Sequence, residues 1–164
     1  MPAAEKFLDR FFKSGPFYLR INRDRVAIRN VATGNDVEFA AKVGIDANQK
    51  VVSYGDPVDP SAITVAHAFQ HPRMLIPDYE VAEKVVHHAV RELAANRYFQ
   101  ASPVLIMHVD IELDGGLTPL EARALREMAE RVGARETYIH IGPRLSDDDV
   151  ANLRFQSFDQ QSQN

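Results

Sequence analysis

Hydrophobic positions in this chain follow three different rhythms, and the changes of rhythm divide it into elements. From Phe17 to Val31 the period is two: Phe17, Leu19 and Ile21, then Val26, Ile28 and Val31, are spaced by polar neighbours. That spacing predicts two strands joined by a tight turn at Asn22 to Asp24. Thr33, Gly34 and Asn35 make the next turn, and VEFAAKVGI and KVVSYGD read as two further strands around Asp46 to Gln49. The chain therefore opens as a meander. Residues 55 to 77 carry Pro57, Pro60, Pro72 and Pro77, with a short strand predicted at Ile63 to Phe69. The rhythm then becomes helical. Val81, Val85, Val86, Ala89, Val90 and Leu93 share one face of a helix from Tyr79 to about Asn96, Asp78 caps it, and Glu80 and Glu83 lie near its positive end. Lys84, His87, Arg91 and Glu92 form its wetter side.

Pro103 to Pro143 shows the third rhythm, unbroken apolar runs either side of a helix. Val104 to Val109 and Thr137 to Ile141 look like strands buried on both faces. Between them Thr118, Pro119 and Glu121 announce a helix over 118 to 132, with Leu120, Ala124, Leu125, Met128 and Val132 at helical spacing and Gly133 placed to end it. Strand, helix, strand predicts a parallel pair. The fold class is thus α/β: a five-stranded mixed sheet with helices 78–96 and 118–132 packed on it and a strand excursion at 37–69. Ser146 with Asp147, Asp148 and Asp149 predicts a short final helix.

The ends differ from the middle. Residues 1–15 form an amphipathic segment in which Phe7, Leu8, Phe11 and Phe12 gather on one helical face, flanked by Lys6, Arg10 and Lys13. Such a helix either docks on its own domain or lies at a membrane interface with its cations among anionic headgroups. Residues 16–156 make a single domain, and 157–164 a polar tail. At 164 residues with 45% hydrophobic side chains, the chain can bury a core. The absence of cysteine rules out disulfides and thiolate chemistry and suits the cytoplasm. A net charge of −4 gives no general reason to bind nucleic acid. Neither a membrane-spanning run nor a signal-peptide region is apparent.

Two constellations suggest chemistry. Asp110, Glu112, Asp114 and Glu121, with Gly115, nearly spell a calcium loop, although Glu stands at its third position and a strand leads in. The same letters also spell a glycine turn and a Thr118/Glu121 capping box. His108 and His140 fall near the carboxyl ends of the two buried strands, where ligands bind in open α/β sheets, and with Asp110 they could form a metal site. His67 and His71 are four apart but lack the glutamate of a metalloprotease helix, and His87 and His88 are adjacent. G-x-G-x-x-G, G-x-x-x-x-G-K-[ST] and G-x-S-x-G patterns are all missing. On helix 118–132, Arg123 with Glu127 and Arg126 with Glu130 are i,i+4 neighbours on a solvated face that could equally meet a partner.

PDYEVAEKVVHHAV is similar to the helix that follows A-D-F-E-V-T-E-K in the bacterial actin-like MreB family. PVLIMHV with LEARALREMAERVGARETYI resembles that family's strand and V-E-R-R-A-I-R-E-S-A-E-G-A-G-A-R-E helix. VEFAAKVGIDANQKVVSYGD and FLDRFFKSG are similar to its strand pair ending V-A-V-G and to its membrane-binding N-terminal segment. The resemblance covers residues 7 to 143, the family's first domain, and implies a ribonuclease-H-like, actin-like ATPase fold. It also implies lost catalysis. The phosphate loop D-L-G-T-A-N-T falls on Arg20 to Val26, where Arg20 replaces its magnesium-linked aspartate, and the water-positioning glutamate of E-E-P falls at Ile141 and Gly142. ATP binding and other cofactors are therefore not expected. The role the resemblance implies is a non-catalytic scaffold or interaction module in cell-shape or envelope organisation, cytoplasmic or at the inner face of the cytoplasmic membrane. Glu121, Arg123, Arg126, Glu127 and Glu130 would form its partner or self-association face, and Lys6, Phe7, Leu8, Arg10, Phe11, Phe12 and Lys13 its membrane contact. The alternative is a small metal- or ligand-binding enzyme using the acids and histidines at the strand ends.

Overall fold

The computed structural model describes residues 15–95 and 102–161. The predicted membrane contact, Lys6 to Lys13, lies outside the described residues. Three strands, β1 (Phe17–Ile21), β2 (Arg25–Asn30) and β3 (Asp36–Ala40), form an antiparallel meander, with Leu19 opposite Ile28 and Ile28 opposite Val37. Asn22 closes the first turn: its Oδ1 accepts the amides of Asp24 at 3.1 Å and Arg25 at 2.7 Å. This Asx-type closure is what a short polar side chain before a turn provides.

The run VEFAAKVGI is two strands rather than one. After Ala40 the chain leaves the first sheet, and β4 (Lys42–Ile45) becomes the middle strand of a second, flanked by β5 (Val51–Tyr54) and β6 (Thr64–His67). Ala41 marks the break, donating to Asp24 O at 2.8 Å while its own carbonyl accepts from Ala68 at 2.9 Å. Gly44 is needed in β4 because a Cβ there would collide with Ser53 Oγ and press on Ala62.

Helix α1 (Tyr79–Ala94) begins where expected, with Asp78 accepting the Val81 amide, and buries the predicted valine and leucine face. It packs across β2 and β3 and touches helix α2 (Pro119–Arg131) on the same side of the first sheet. Strand β7 (Val104–Val109), α2 and β8 (Glu136–Ile141) form the parallel crossover, completing the order β3-β2-β1-β7-β8. Thr118 and Glu121 make the reciprocal capping box. The buried face of α2 is Ala122, Leu125, Met128 and Ala129, so Leu120 is not core but 77% exposed. Leu125 and Met128 of the predicted row are buried and Val132 packs on the core, so the row fails at Leu120 alone.

The second side of the sheet is covered too, which the alternating pattern of β1 does not announce. Tyr18, Val104, Ile106 and Val150 form a separate buried cluster, joined by Leu145, Tyr138 and Phe155. Val150 comes from helix α3 (Asp147–Ala151), which Arg29 ties to β2 through Asp147 Oδ2 at 2.9 and 3.1 Å. The predicted polar tail starts instead with a helical turn, α4 (Phe158–Gln161), against β8. Phe158 packs on the main core there, and Asp159 pairs with Arg126.

Candidate functional site

Strands β1, β7 and β8 run parallel, so their carboxyl ends converge on one edge of the sheet. Register places Arg20 beside His108 and His108 beside His140, and the pleat puts all three on the side that α3 covers. The sequence thus brings the two histidines together as predicted, with ring centroids 4.8 Å apart.

Both nitrogens of His108 are committed. Nε2 lies 2.8 Å from Gly142 O and Nδ1 2.6 Å from Tyr18 Oη. A carbonyl only accepts, so Nε2 carries the proton and Nδ1 accepts from the tyrosine hydroxyl. Tyr18 Oη in turn accepts the Leu145 amide at 3.1 Å. The relay is closed and neutral. Burial pushes the Tyr18 hydroxyl above its ordinary range, against the Leu145 bond, and burial holds the His108 imidazole below its own, against the Gly142 bond. Gly142 turns this corner at φ 133°, a conformation that favours glycine. His140 Nε2 sits 2.9 Å from Pro143 O, which leaves it anchoring the same loop.

Asp110, the first acid of the following loop, faces two arginines. Its Oδ2 is 3.1 Å from Arg144 Nε and 3.9 Å from Arg20 Nη1. Arg23, at the β1–β2 turn, reaches across to donate to His71 O and, at 3.2 Å, to Glu112 O. One guanidinium therefore joins the hairpin tip, the return from the small sheet and the acidic loop. A cleft of about 660 Å³ lies between that loop and Gly142–Pro143.

Glu121, the last position of the calcium-loop pattern, has other partners. Glu121 spends its carboxylate on Thr118 and on the Leu75 amide at 2.7 Å. Burial works to raise its pKa, but these bonds outweigh burial and hold it below the ordinary carboxylate range. Among the described residues the acids and histidines form no group of three that could hold a metal ion. His71 Nδ1 accepts the amides of Arg73 and Met74, and His88 stacks flat on Tyr54 with centroids 4.0 Å apart. His71, His88, His108 and His140 thus each have a structural partner. Sequence reasoning missed Tyr18, Arg23 and Arg144, whose roles depend on contacts between distant segments.

Of the predicted interaction residues, Arg123 pairs with Glu127 at 3.0 Å, Arg126 with Asp159, and Glu130 is exposed. Glu121 points to the cap instead of outward. Next to them Leu120, Met74, Ile76, Tyr79 and Ala124 line an apolar groove of about 590 Å³.

Depressed histidines make stability depend on pH. Burial lowers His108 and His88 in the folded chain, so between about pH 6.5 and their folded values the unfolded chain binds more protons. Their contribution is complete above about pH 6.5 and is lost as the pH falls. The urea midpoint is therefore expected to be lower at pH 5 than at pH 7, and an unchanged or higher midpoint would contradict the buried, neutral assignment.

A search of family models finds no match. Among curated proteins, the cell shape-determining protein MreB of Escherichia coli K12 is 32% identical over 114 residues, as is that of Salmonella typhimurium LT2. The match covers 70% of this chain, which spans 29% of the length of these relatives. Among solved structures, MreB5 of Spiroplasma citri bound to ADP superposes with a TM-score of 0.57 at 14% identity, covering 77% of this chain and 38% of the other. The AMPPNP-bound form gives 0.56 at 12% identity. The expected fold class holds, and the chain is MreB-like in sequence and actin-like, ribonuclease-H-like, in its α/β fold.

Proposed function

We propose that this chain is a non-catalytic, MreB-like interaction module that serves cell-shape or envelope organisation at the cytoplasmic side of the membrane. The observation that carries the non-catalytic part is the ionic closure of the strand ends. Where the resemblance puts a phosphate loop, the chain has a turn closed by Asn22, and Arg20 and Arg144 already face Asp110. The domain would run from 16 to 156, with residues 1–15 as the membrane-contacting segment.

The exposed surface of α2 supports the interaction part. Leu120 at 77% and Met74 at 44% exposure are large apolar groups in water, set beside Arg123, Glu127 and Glu130. Tyr79, which lines the same groove, has the one buried side-chain polar atom among the described residues without a hydrogen-bond partner. A partner, or another copy, could cover the apolar groups.

Pelleting of the full chain tests both parts. Self-association is expected to be indifferent to ATP and Mg²⁺ and to fall in Leu120→Glu, while the stability of that surface variant stays within about 0.5 kcal/mol of the parent. A pellet that forms only with nucleotide would overturn the non-catalytic reading. An undiminished pellet in Leu120→Glu would remove the α2 face from it.

A further inference from the structure

The small sheet ends in a strand that lacks the charge that usually protects an edge. β6 pairs with β4 on one side and is the last strand of its sheet. Its surroundings are open: Ile63 is 68% and Val65 44% exposed, and Thr64 and His67 are exposed as well. From Ser61 to Phe69 there is no aspartate, glutamate, lysine, arginine or proline. The other edges differ. β3 carries Asp36 and Glu38, β8 begins with Glu136 beside α4, and β5 meets β4 through a register shift at Gly44/Ile45. Charge, cover and irregularity are the devices that keep edges from pairing; β6 carries no charge, and its contact with α1 leaves Ile63, Val65 and His67 exposed.

The backbone of β6 faces outward at defined residues. Ala68 donates to Ala41 O at 2.9 Å, and antiparallel ladders alternate, so Ala66 and Thr64 also turn their polar groups toward β4. Val65 and His67 turn theirs to the open side. Side chains alternate likewise, with Val65 and His67 on one surface, whereas Ile63, just before the strand, spends its amide on Ile45 O at 2.8 Å.

We propose that β6 is a self-association edge, on which a second copy of this chain adds its own β6 antiparallel about a two-fold axis at Val65, making one continuous sheet from two small ones. The occupant is a second copy because the edge is neutral and matches itself. Antiparallel pairing about Val65 sets Val65 against Val65 and Thr64 against Ala66, so no like charges meet and the outward amides of the two Val65 residues find each other's carbonyls. A charged partner strand would gain nothing from this edge. The strand is short, so the dimer is weak and concentration-dependent. This contact is separate from the α2 face, since the groove beside Leu120 is lined by other residues.

Sedimentation velocity of the full chain across a concentration series tests the proposal. The parent is expected to show a reversible monomer–dimer equilibrium, and Val65→Lys, with a charge meeting its own copy at the axis, is expected to abolish the dimer in a Leu120→Glu background, where the α2 face is silenced. Val65→Pro should abolish it too, because it deletes an outward N–H without touching the β4 ladder. Circular dichroism confirms that each variant is folded. Leu120→Glu is expected to keep the dimer. Because the chain has no cysteine, Val65→Cys supplies a single thiol, and an opposed pair at the axis, with Cα atoms about 5.5 Å apart, is expected to cross-link on mild oxidation. A monomeric parent at all concentrations would overturn the proposal, as would a dimer that survives when Val65→Lys or Val65→Pro is combined with Leu120→Glu in a folded chain. Loss of the dimer in Leu120→Glu but not in Val65→Lys would overturn it as well, and assign association to the helix.

Discussion

Replacing Phe69 with alanine is expected to remove about 3–5 kcal/mol of unfolding free energy, read as a lowered urea midpoint with an unchanged slope. Phe69 is fully buried and follows directly on Ala68, whose amide closes the small sheet onto Ala41. Its side chain belongs to the same buried cluster as Leu19, Leu105, Val85 and Leu125. The cavity therefore opens in the core that both sheets share. Against a total of about 5–15 kcal/mol for a typical domain, such a loss is a large share. The transition should stay single, because both sheets draw on one core. Two transitions, with only the earlier one moved by Phe69→Ala, would show that the small sheet folds by itself.

The second large effect is expected at His108. His108→Leu keeps an apolar side chain of similar bulk at a fully buried position but strands the Tyr18 hydroxyl and the Gly142 carbonyl. Each buried group left unpaired costs about 1–3 kcal/mol, more than a satisfied bond contributes. The decisive measurement is the double variant. Adding Tyr18→Phe to His108→Leu takes away one stranded hydroxyl, although it also leaves the Leu145 amide without its acceptor. The pair should therefore be less destabilised than the sum of the single variants, with a coupling of about 0.5–3 kcal/mol. Strict additivity would mean that Tyr18 and His108 do not act as one relay.

Much of the architecture was legible because local chemistry and tertiary packing agree. The βαβ unit followed from two unbroken apolar runs around a Thr118–Glu121 capping box, and α1 from Asp78 and its valine stripe, and each stands in the structure within a residue or two. The failures have physical causes. VEFAAKVGI alternates well enough to look like one strand, because a chain that crosses between sheets keeps the same extended backbone on both sides of Ala41. Leu120 fits a helical row by spacing, yet the buried face of α2 is centred on Ala122, Leu125 and Ala129, and Leu120 is turned to the outer groove beside Met74 and Tyr79. Tyr18 looked like the polar side of β1 until α3 and Phe155 closed over it. The site was legible in its residue types and not in its partners. His108, His140 and Asp110 are near one another as the strand pattern predicted, but the groups that satisfy them come from residues 18, 20 and 142 to 145, and pairing across such sequence separation leaves no local signal.

The crossing at Ala41 has a mechanical consequence. A single extended segment serves both sheets, and Ala41 itself is bonded to Asp24 on one side and Ala68 on the other. Traction applied at the rim of the small sheet would thus pass through Ala41 into the β1–β2 turn. From there Arg23 passes it to the acidic loop and to the return at His71. The two sheets would move as one stiff lever, so a tug at β6 would be felt at the strand ends where Arg20, Asp110 and Arg144 meet.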